Sequence, residues 1–189
     1  MEGVLSVFTA FGLSSAAGLN AYLPLLVVAL LARFTDLITL SAPWDTLESW
    51  PVIGVLVVLL IIEIVVDKVP AVDTVNDIIQ TVVRPIAGAI LFASSTGAVS
   101  EADPVFAMIC GLLVAGSVHA AKATVRPVIT ASTAGTMNPV VSSVEDVASF
   151  TISVIAILMP VLGIILLGLL IFWFVRLWRR RRRQRAQPA

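Results

Sequence analysis

The chain has 189 residues, 59% of them hydrophobic and 13% charged, and its formal net charge is zero. Because soluble domains carry about a quarter charged residues, this composition excludes an ordinary water-soluble fold. Seven of the twelve Lys and Arg residues lie at or beyond Arg176, so the zero balance hides a basic tail on an otherwise acidic chain. We predict one transmembrane helical domain over residues 1–175 and a basic cytoplasmic tail over residues 176–189.

Several apolar runs are candidate membrane crossings, since a helix needs about 20 apolar residues to cross the hydrocarbon core. They cover residues 4–34, 51–66, 85–99, 104–118 and 147–175. The first run is interrupted by the segment SSAAGLN and by Pro24. A broken helix is therefore expected in this run.

The distribution of charge requires one more crossing, because Lys and Arg are retained on the cytoplasmic side of a membrane. Residues 68–84, residues 122–126 and the tail carry Lys and Arg, whereas residues 35–50 and 101–103 carry acids and neither Lys nor Arg. Five crossings would leave the Arg-rich tail outside. We therefore predict a weak sixth crossing between Arg126 and Asp146, and whether residues 127–144 cross fully or re-enter stays open.

The predicted fold is all-α, a polytopic transmembrane helical bundle of about six crossings with broken or re-entrant helices. The expected location is a bacterial inner (plasma) membrane, with the C-terminus in the cytoplasm. A weak internal repeat supports the sixth crossing: residues 83–103 and 125–146 both begin with VRP, pass through Ser-Thr and Gly, and end in Val-Ser followed by acids. We expect both copies to cross in the same direction, as parallel repeats do in transporters; chance similarity of two Ala-rich helices is the alternative.

The segment EIVVDKVPAVDTVNDIIQTVVRP, residues 63–85, concentrates charge beside an apolar run. A helix that begins at Pro70 places four polar side chains within an arc of about 60°. They are Asp73, Asp77, Gln80 and Arg84. This stripe either lines a polar cavity between helices or lies in water on a surface amphipathic helix, and the sequence leaves both interpretations open.

Glu63 and Asp67 lie four residues apart, hence on one helix face, and Lys68 follows them. An ionised carboxylate in hydrocarbon costs several kcal/mol, so such residues usually face a bundle interior, pair with a cation or stay protonated. Glu63 therefore either binds a proton or a cation inside the bundle or simply reaches the membrane interface.

The stretch VHAAKATVRP places His119, Lys122 and Arg126 on one helical face. Together with Arg84 they form a cationic row that pairs with acidic side chains or receives an anionic headgroup. The lone histidine has no Cys or His partner at ligand spacing, so neither a metal site nor a cofactor is expected.

Two Asn residues lie at predicted helix breaks. Asn20 follows SSAAGL, and Asn138 precedes Pro139 after a run of small residues. Broken membrane helices expose backbone groups that are tolerated only where they line protein or water. Asn20 and Asn138 are therefore candidate binding residues, although irregular packing requires such breaks too.

Three stretches together resemble a bacterial membrane-protein family labelled domain of unknown function 4126. They are GLSSAAGLNAYLPLL, then EIVVDKVPAVDTVND with the following RPIAG, and TASTAGTMNPVVSSVED. The resemblance covers nearly the whole chain apart from the Arg tail. It implies a helical integral membrane protein and supplies no activity, cofactor or functional residues.

The residues favour a small transporter or channel-like protein whose polar intramembrane site contains the charged and Asn residues above. The alternative is a non-catalytic lipid-interacting or partner-binding component. In either case the bilayer is a partner, anionic lipids bind the Arg176–Arg185 tail, and a homo-oligomer stays open. We expect no nucleic-acid binding, because the chain has no folded basic surface with interleaved aromatics. No enzyme activity is expected either, because no nucleophile with an adjacent base, phosphate-binding Gly loop or metal motif is present.

Overall fold

The computed structural model of the protein describes residues 2–67, 70–97, 103–159 and 176, and the regular structure in these ranges is helical. The side chains of residues 2, 70–75 and 97 lie outside the description. The helices are α1 Glu2–Leu19, α2 Tyr22–Phe34, α3 Trp50–Val66, α4 Pro70–Gly97, α5 Pro104–Thr133 and α6 Asn138–Met159, and a short 3-10 helix, Trp44–Glu48, precedes α3.

The break in the first apolar run is confirmed, because α1 ends at Leu19 and α2 begins at Tyr22. Asn20 makes this break stable. Its Oδ1 accepts hydrogen bonds from the backbone N–H groups of Tyr22 (3.1 Å) and Leu23 (2.9 Å). An Asn side chain that satisfies the first N–H groups of a helix caps that helix, so Asn20 ends one helix and starts the next.

Helices α4 and α6 both run antiparallel to α1, since the earlier Phe11 contacts the later Phe92 and Thr9 donates to the carbonyl oxygen of Ala156. On α1, Ser14 bonds the carbonyl oxygen of Gly88 in α4, and Ala16 accepts from Ser149 in α6. Helix α4 runs antiparallel to α5, because Asp77 contacts Arg126 while the later Arg84 contacts the earlier His119. Arg33 near the end of α2 lies 4.4 Å over the Trp50 ring at the start of α3, so these two helices form a hairpin.

Small residues let the helices approach closely, as is typical of packing in lipid. Gly88 of α4 and Gly111 of α5 face each other, and a Cβ atom on either would collide with the other's carbonyl oxygen. A Cβ on Gly18 of α1 would lie 2.6 Å from the carbonyl oxygen of Ala115. The contact between α1, α4 and α5 therefore depends on glycine.

Three helical segments in the described part of the chain are long and apolar enough to cross a membrane: Asn76–Thr96, Pro104–Thr133 and Asn138–Met159. Shorter apolar helices cover Gly3–Leu19, Tyr22–Phe34 and Trp50–Val66. Large apolar side chains point outward from them, for example Val58, Ile61 and Val65 of α3. An apolar exterior of this extent is that of a helical membrane protein.

The structure differs from the prediction over residues 127–144, which do not form a separate crossing. Helix α5 continues through Arg126 and Pro127 to Thr133, and α6 begins at Asn138. The chain reverses between them because Ala134 and Gly135 adopt left-handed backbone angles, with φ of 50° and 78°. The predicted last crossing, 147–175, is described only to Met159, where it forms the end of α6.

The two repeat copies are not equivalent in space. Residues 83–97 lie in α4, whereas residues 125–133 lie in α5, which runs in the opposite direction. The second copy then passes through the turn before α6. The expectation that both copies cross in the same direction is therefore wrong, and sequence similarity between them does not reflect a shared architecture.

Candidate functional site

Charged side chains from four helices meet inside the bundle, beside the break between α1 and α2. We call this set the ion network. Its members are Glu63 and Asp67 at the end of α3, Asp77 and Arg84 of α4, His119, Lys122 and Arg126 of α5, and Glu145 of α6. These contacts bring together seven of the residues that the sequence singled out.

Arg84 lies at one end of the network and is fully buried. Its Nη2 is 3.0 Å from Oε1 of Glu63, and the two side chains are 0% and 1% exposed. Nη1 of the same guanidinium lies 3.0 Å from Nδ1 of His119 and 3.8 Å from Oδ1 of Asp77. The other ring nitrogen of His119 is 3.0 Å from the Thr81 hydroxyl, so the imidazole links Arg84 to a polar group near the surface.

Arg126 joins the remaining carboxylates. Its Nη2 lies 2.9 Å from Oε2 of Glu145 and 3.5 Å from Oδ2 of Asp67, and its Nη1 is 3.5 Å from Oδ2 of Asp77. Lys122 lies 2.9 Å from the same Glu145 oxygen. Carboxylates from α3, α4 and α6 therefore converge on one helix, α5.

The helix break supplies a backbone ligand to this network. The ammonium group of Lys122 donates a hydrogen bond to the carbonyl oxygen of Leu19 (3.1 Å), the last residue of α1. That carbonyl has no next helical turn to accept from, since Asn20 ends the helix. The break therefore contributes directly to the charged site, as membrane helix breaks at binding sites do.

The two predicted Asn residues lie at the edges of the site. Asn20 donates from Nδ2 to Oδ1 of Asp146 (2.9 Å). Asn138 accepts from the Thr130 hydroxyl at 3.0 Å and lines a cavity next to Arg126. Lys68 and the side chain of Asp73 lie outside the described residues.

Where its side chains are described, from residue 76 onward, the polar stripe of α4 faces the bundle interior. Gln80 and Arg84 are buried, whereas Ile78 and Val82 on the opposite side are 68% and 62% exposed. The segment also continues without interruption into the apolar part of α4, to Gly97. Of the two interpretations left open by the sequence, the surface-lying helix does not describe this segment.

Two open cavities meet at Arg126. One, of about 510 Å³, lies between α4, α5 and the start of α6, and its polar wall contains Asp77, Thr81 and Asn138. The other, of about 310 Å³, lies between α1, α5 and α6 and reaches Lys122 and Glu145. Arg126 lines both.

Comparison with known proteins places the chain in a family. A family model described as domain of unknown function (DUF4126) matches residues 7–180. The chain belongs to the DUF4126 family. No curated protein and no solved structure matches the chain. The DUF4126 match extends over every helix that contributes to the ion network.

Sequence reasoning missed Glu145, which is the carboxylate shared by Lys122 and Arg126 in this DUF4126 member. A signal for it existed. The α6 residues Asn138, Ser142, Glu145 and Ser149 follow the same 0, 4, 7, 11 spacing as the polar stripe of α4, which places them on one helical face. Ser142 contacts Asp67 and Ser149 bonds the carbonyl oxygen of Ala16, so this face points inward.

Burial makes the ion network costly, and its geometry indicates why it persists. Removing ions from water costs several kcal/mol each, which only close pairing and further hydrogen bonds offset. Neutral donors supply part of this compensation: Asn76 donates to Oδ1 of Asp67 at 2.7 Å. An apolar core of the same shape is often as stable as a buried ion network, so stability alone does not explain the buried charges of this DUF4126 chain.

Proposed function

We propose that the protein is a small transporter of the bacterial inner membrane, and that the ion network is the site through which a small polar or charged solute passes. The observation that carries this proposal is the position of Arg126. Arg126 lines two cavities, and its guanidinium touches carboxylates from three other helices. Intramembrane charges that line water-accessible space mark substrate or ion pathways.

The helix break at Asn20 supports the same proposal. It leaves the carbonyl oxygen of Leu19 pointing at Lys122, and interrupted helices commonly form the binding sites of transporters. In this proposal the C-terminal tail lies in the cytoplasm. The solute moves without chemical change, so the protein is not an enzyme.

The test measures solute movement in vesicles that contain the purified full-length protein. Uptake of labelled rubidium, chloride, phosphate and alanine is compared with protein-free vesicles. We expect at least one probe to enter faster, and its flux to fall at least about tenfold in D77N and in R126Q, because each removes a charge that lines the cavities. The exposed carboxylate variant D36N is the matched control and should retain full flux.

Two outcomes would contradict the transporter proposal. One is that no probe enters the protein vesicles faster than protein-free vesicles. The other is that D77N and R126Q insert normally and retain full flux. Insertion is measured for each variant by its resistance to carbonate extraction, so that a loss of flux is not confused with a loss of protein.

A non-catalytic, lipid-interacting role is the second candidate, and one observation favours it. Both cavities have walls of apolar residues that also face the membrane, such as Ile78 and Val125, so an amphiphile could enter sideways. In that case the charges are structural pairs, and the charge swap E63R with R84E, which keeps the closest pair of Arg84, should fold better than either single variant while no solute moves. The Arg176–Arg185 tail would then hold anionic lipid.

A further inference from the structure

The ion network carries more negative than positive charge. In the described part of the chain, its four carboxylates, Glu63, Asp67, Asp77 and Glu145, face three cations, Arg84, Lys122 and Arg126. An uncompensated negative charge is costly at such depth. Binding of one proton or one monovalent cation would neutralise the set.

Glu63 is the network member best placed to take that charge. It is 1% exposed, its Oε1 is paired with Arg84, and its Oε2 has no hydrogen-bond partner among the described residues. The side-chain amide oxygen of Gln80, also 1% exposed, and Oδ1 of the partly exposed Asp77 likewise lack a hydrogen-bond partner in that part of the chain. Buried acceptors without donors are unfavourable, and a proton on Oε2 of Glu63 would turn one of these acceptors into a donor.

Charged and titratable groups that act on Glu63 come from α2, α3, α4 and α5. Arg84 of α4 and Lys122 of α5 favour its ionised form, whereas Asp67 of α3 opposes it. Tyr22 of α2 also interacts electrostatically with Glu63. Among these groups, Arg84 lies within 3.0 Å of the carboxylate, so the response to protonation begins at Arg84.

We infer that Glu63 binds and releases the proton that couples solute movement to the membrane proton gradient. A proton from water binds Oε2 of Glu63, and the carboxylate becomes a neutral acid. The Glu63–Arg84 ion pair is then lost. Arg84 keeps its charge, and the nearest other carboxylate oxygen is Oδ1 of Asp77 at 3.8 Å.

The change in pairing at Arg84 reaches the cavities through Asp77 and Arg126. Asp77 is shared, since its Oδ2 lies 3.5 Å from Arg126. A stronger Arg84–Asp77 contact weakens the Asp77–Arg126 contact, and Arg126 lines both cavities. Protonation at Glu63 thus alters the contacts of a residue that lines both cavities, while release of the proton restores the original pairing. The coupling step rests on the proposed transport function, but the proton can be detected without any solute.

Protonation of Glu63 is tested first, by infrared difference spectroscopy on the full-length protein in lipid vesicles. The sample is titrated from about pH 5 to about pH 9. The wild type should show a protonated-carboxyl band that disappears as pH rises. The band should shift when glutamate is labelled with 13C and stay fixed when aspartate is labelled. It should be absent in E63Q and unchanged in the exposed control D36N. Absence of the band from the wild type, or its persistence in E63Q, overturns the inference.

Coupling is tested with the solute that enters the protein vesicles. In the wild type, one proton per solute should give about tenfold accumulation for each unit of pH difference across the membrane. E63Q should exchange the solute without accumulating it. Accumulation that persists in E63Q overturns the coupling, and so does solute accumulation in wild-type vesicles that does not change with the pH difference. A glutamate band without any solute flux would instead contradict the transporter proposal alone.

Discussion

Arg84 and Glu63 form a fully buried ion pair between α4 and α3, with Nη2 of the arginine 3.0 Å from Oε1 of the glutamate. Arg84 has the largest of the fully buried side chains in the described part of the chain. Removing one partner of such a pair leaves the other charge buried and alone, which costs about 3 to 5 kcal/mol. The pair therefore predicts an asymmetric response to mutation.

R84Q should destabilise the protein by about 3 to 5 kcal/mol, because Glu63 and Asp77 both lose their contact with its guanidinium. E63Q should lower the free energy of unfolding by less than R84Q does, since Arg84 retains Asp77 and His119 as neighbours. The double variant should recover part of the R84Q loss. Unfolding free energies in mixed micelles measure all three, with D36N as the control, and an R84Q variant as stable as the wild type would contradict the assignment.

The glycine contact between α4 and α5 predicts that G111A is destabilising. A methyl group there would meet the carbonyl oxygen of Gly88 and lie 2.6 Å from Cβ of Phe92, and overpacking of this kind costs about 1 to 3 kcal/mol. G54A is the matched control, because nothing lies within 4 Å of a Cβ at Gly54. It should be neutral or stabilising, as Ala favours a helix over Gly. Equal effects of the two substitutions on thermal stability would show that α4 and α5 do not pack in this way.

Asn20 is predicted to stabilise the protein more as a helix cap than as a partner of Asp146. N20A removes both acceptor contacts to α2 and should cost about 1 to 2 kcal/mol of unfolding free energy. D146N should have little effect, because its amide oxygen can still accept from Nδ2 of Asn20. If D146N proved as harmful as N20A, the contact between α1 and α6 would matter more than the cap.

Much of the site could be predicted from helical spacing. The arcs that contain Asp77 and Arg84, and His119 to Arg126, meet in the folded chain because polar faces that cannot point at lipid must point at each other. The helix break at Asn20 was equally predictable, since small residues and Pro24 interrupt the apolar run.

The hairpin between α5 and α6 could not be predicted by the same reasoning. Positive charge indicates a cytoplasmic loop only when it is exposed, and Lys122 and Arg126 are buried in a helix, each paired with Glu145. Those pairs join residues about 20 positions apart on different helices, which no local pattern encodes. The true reversal is at Gly135, a residue that the charge argument did not use.

We expect water to reach the ion network through the cavity on the side of α4 that carries Thr81, while the neighbouring Val82 faces lipid. Thr81 lines the cavity at Asp77 and Arg126, whereas Val82 is 62% exposed on the apolar exterior. The direct test introduces T81C or V82C into a C110A background and measures the rate of modification by a membrane-impermeant, charged thiol reagent in vesicles. Only the thiolate reacts, and apolar surroundings disfavour formation of the thiolate. T81C should therefore react at least about tenfold faster than V82C. Equal rates at the two positions, or faster reaction at V82C, would contradict the account.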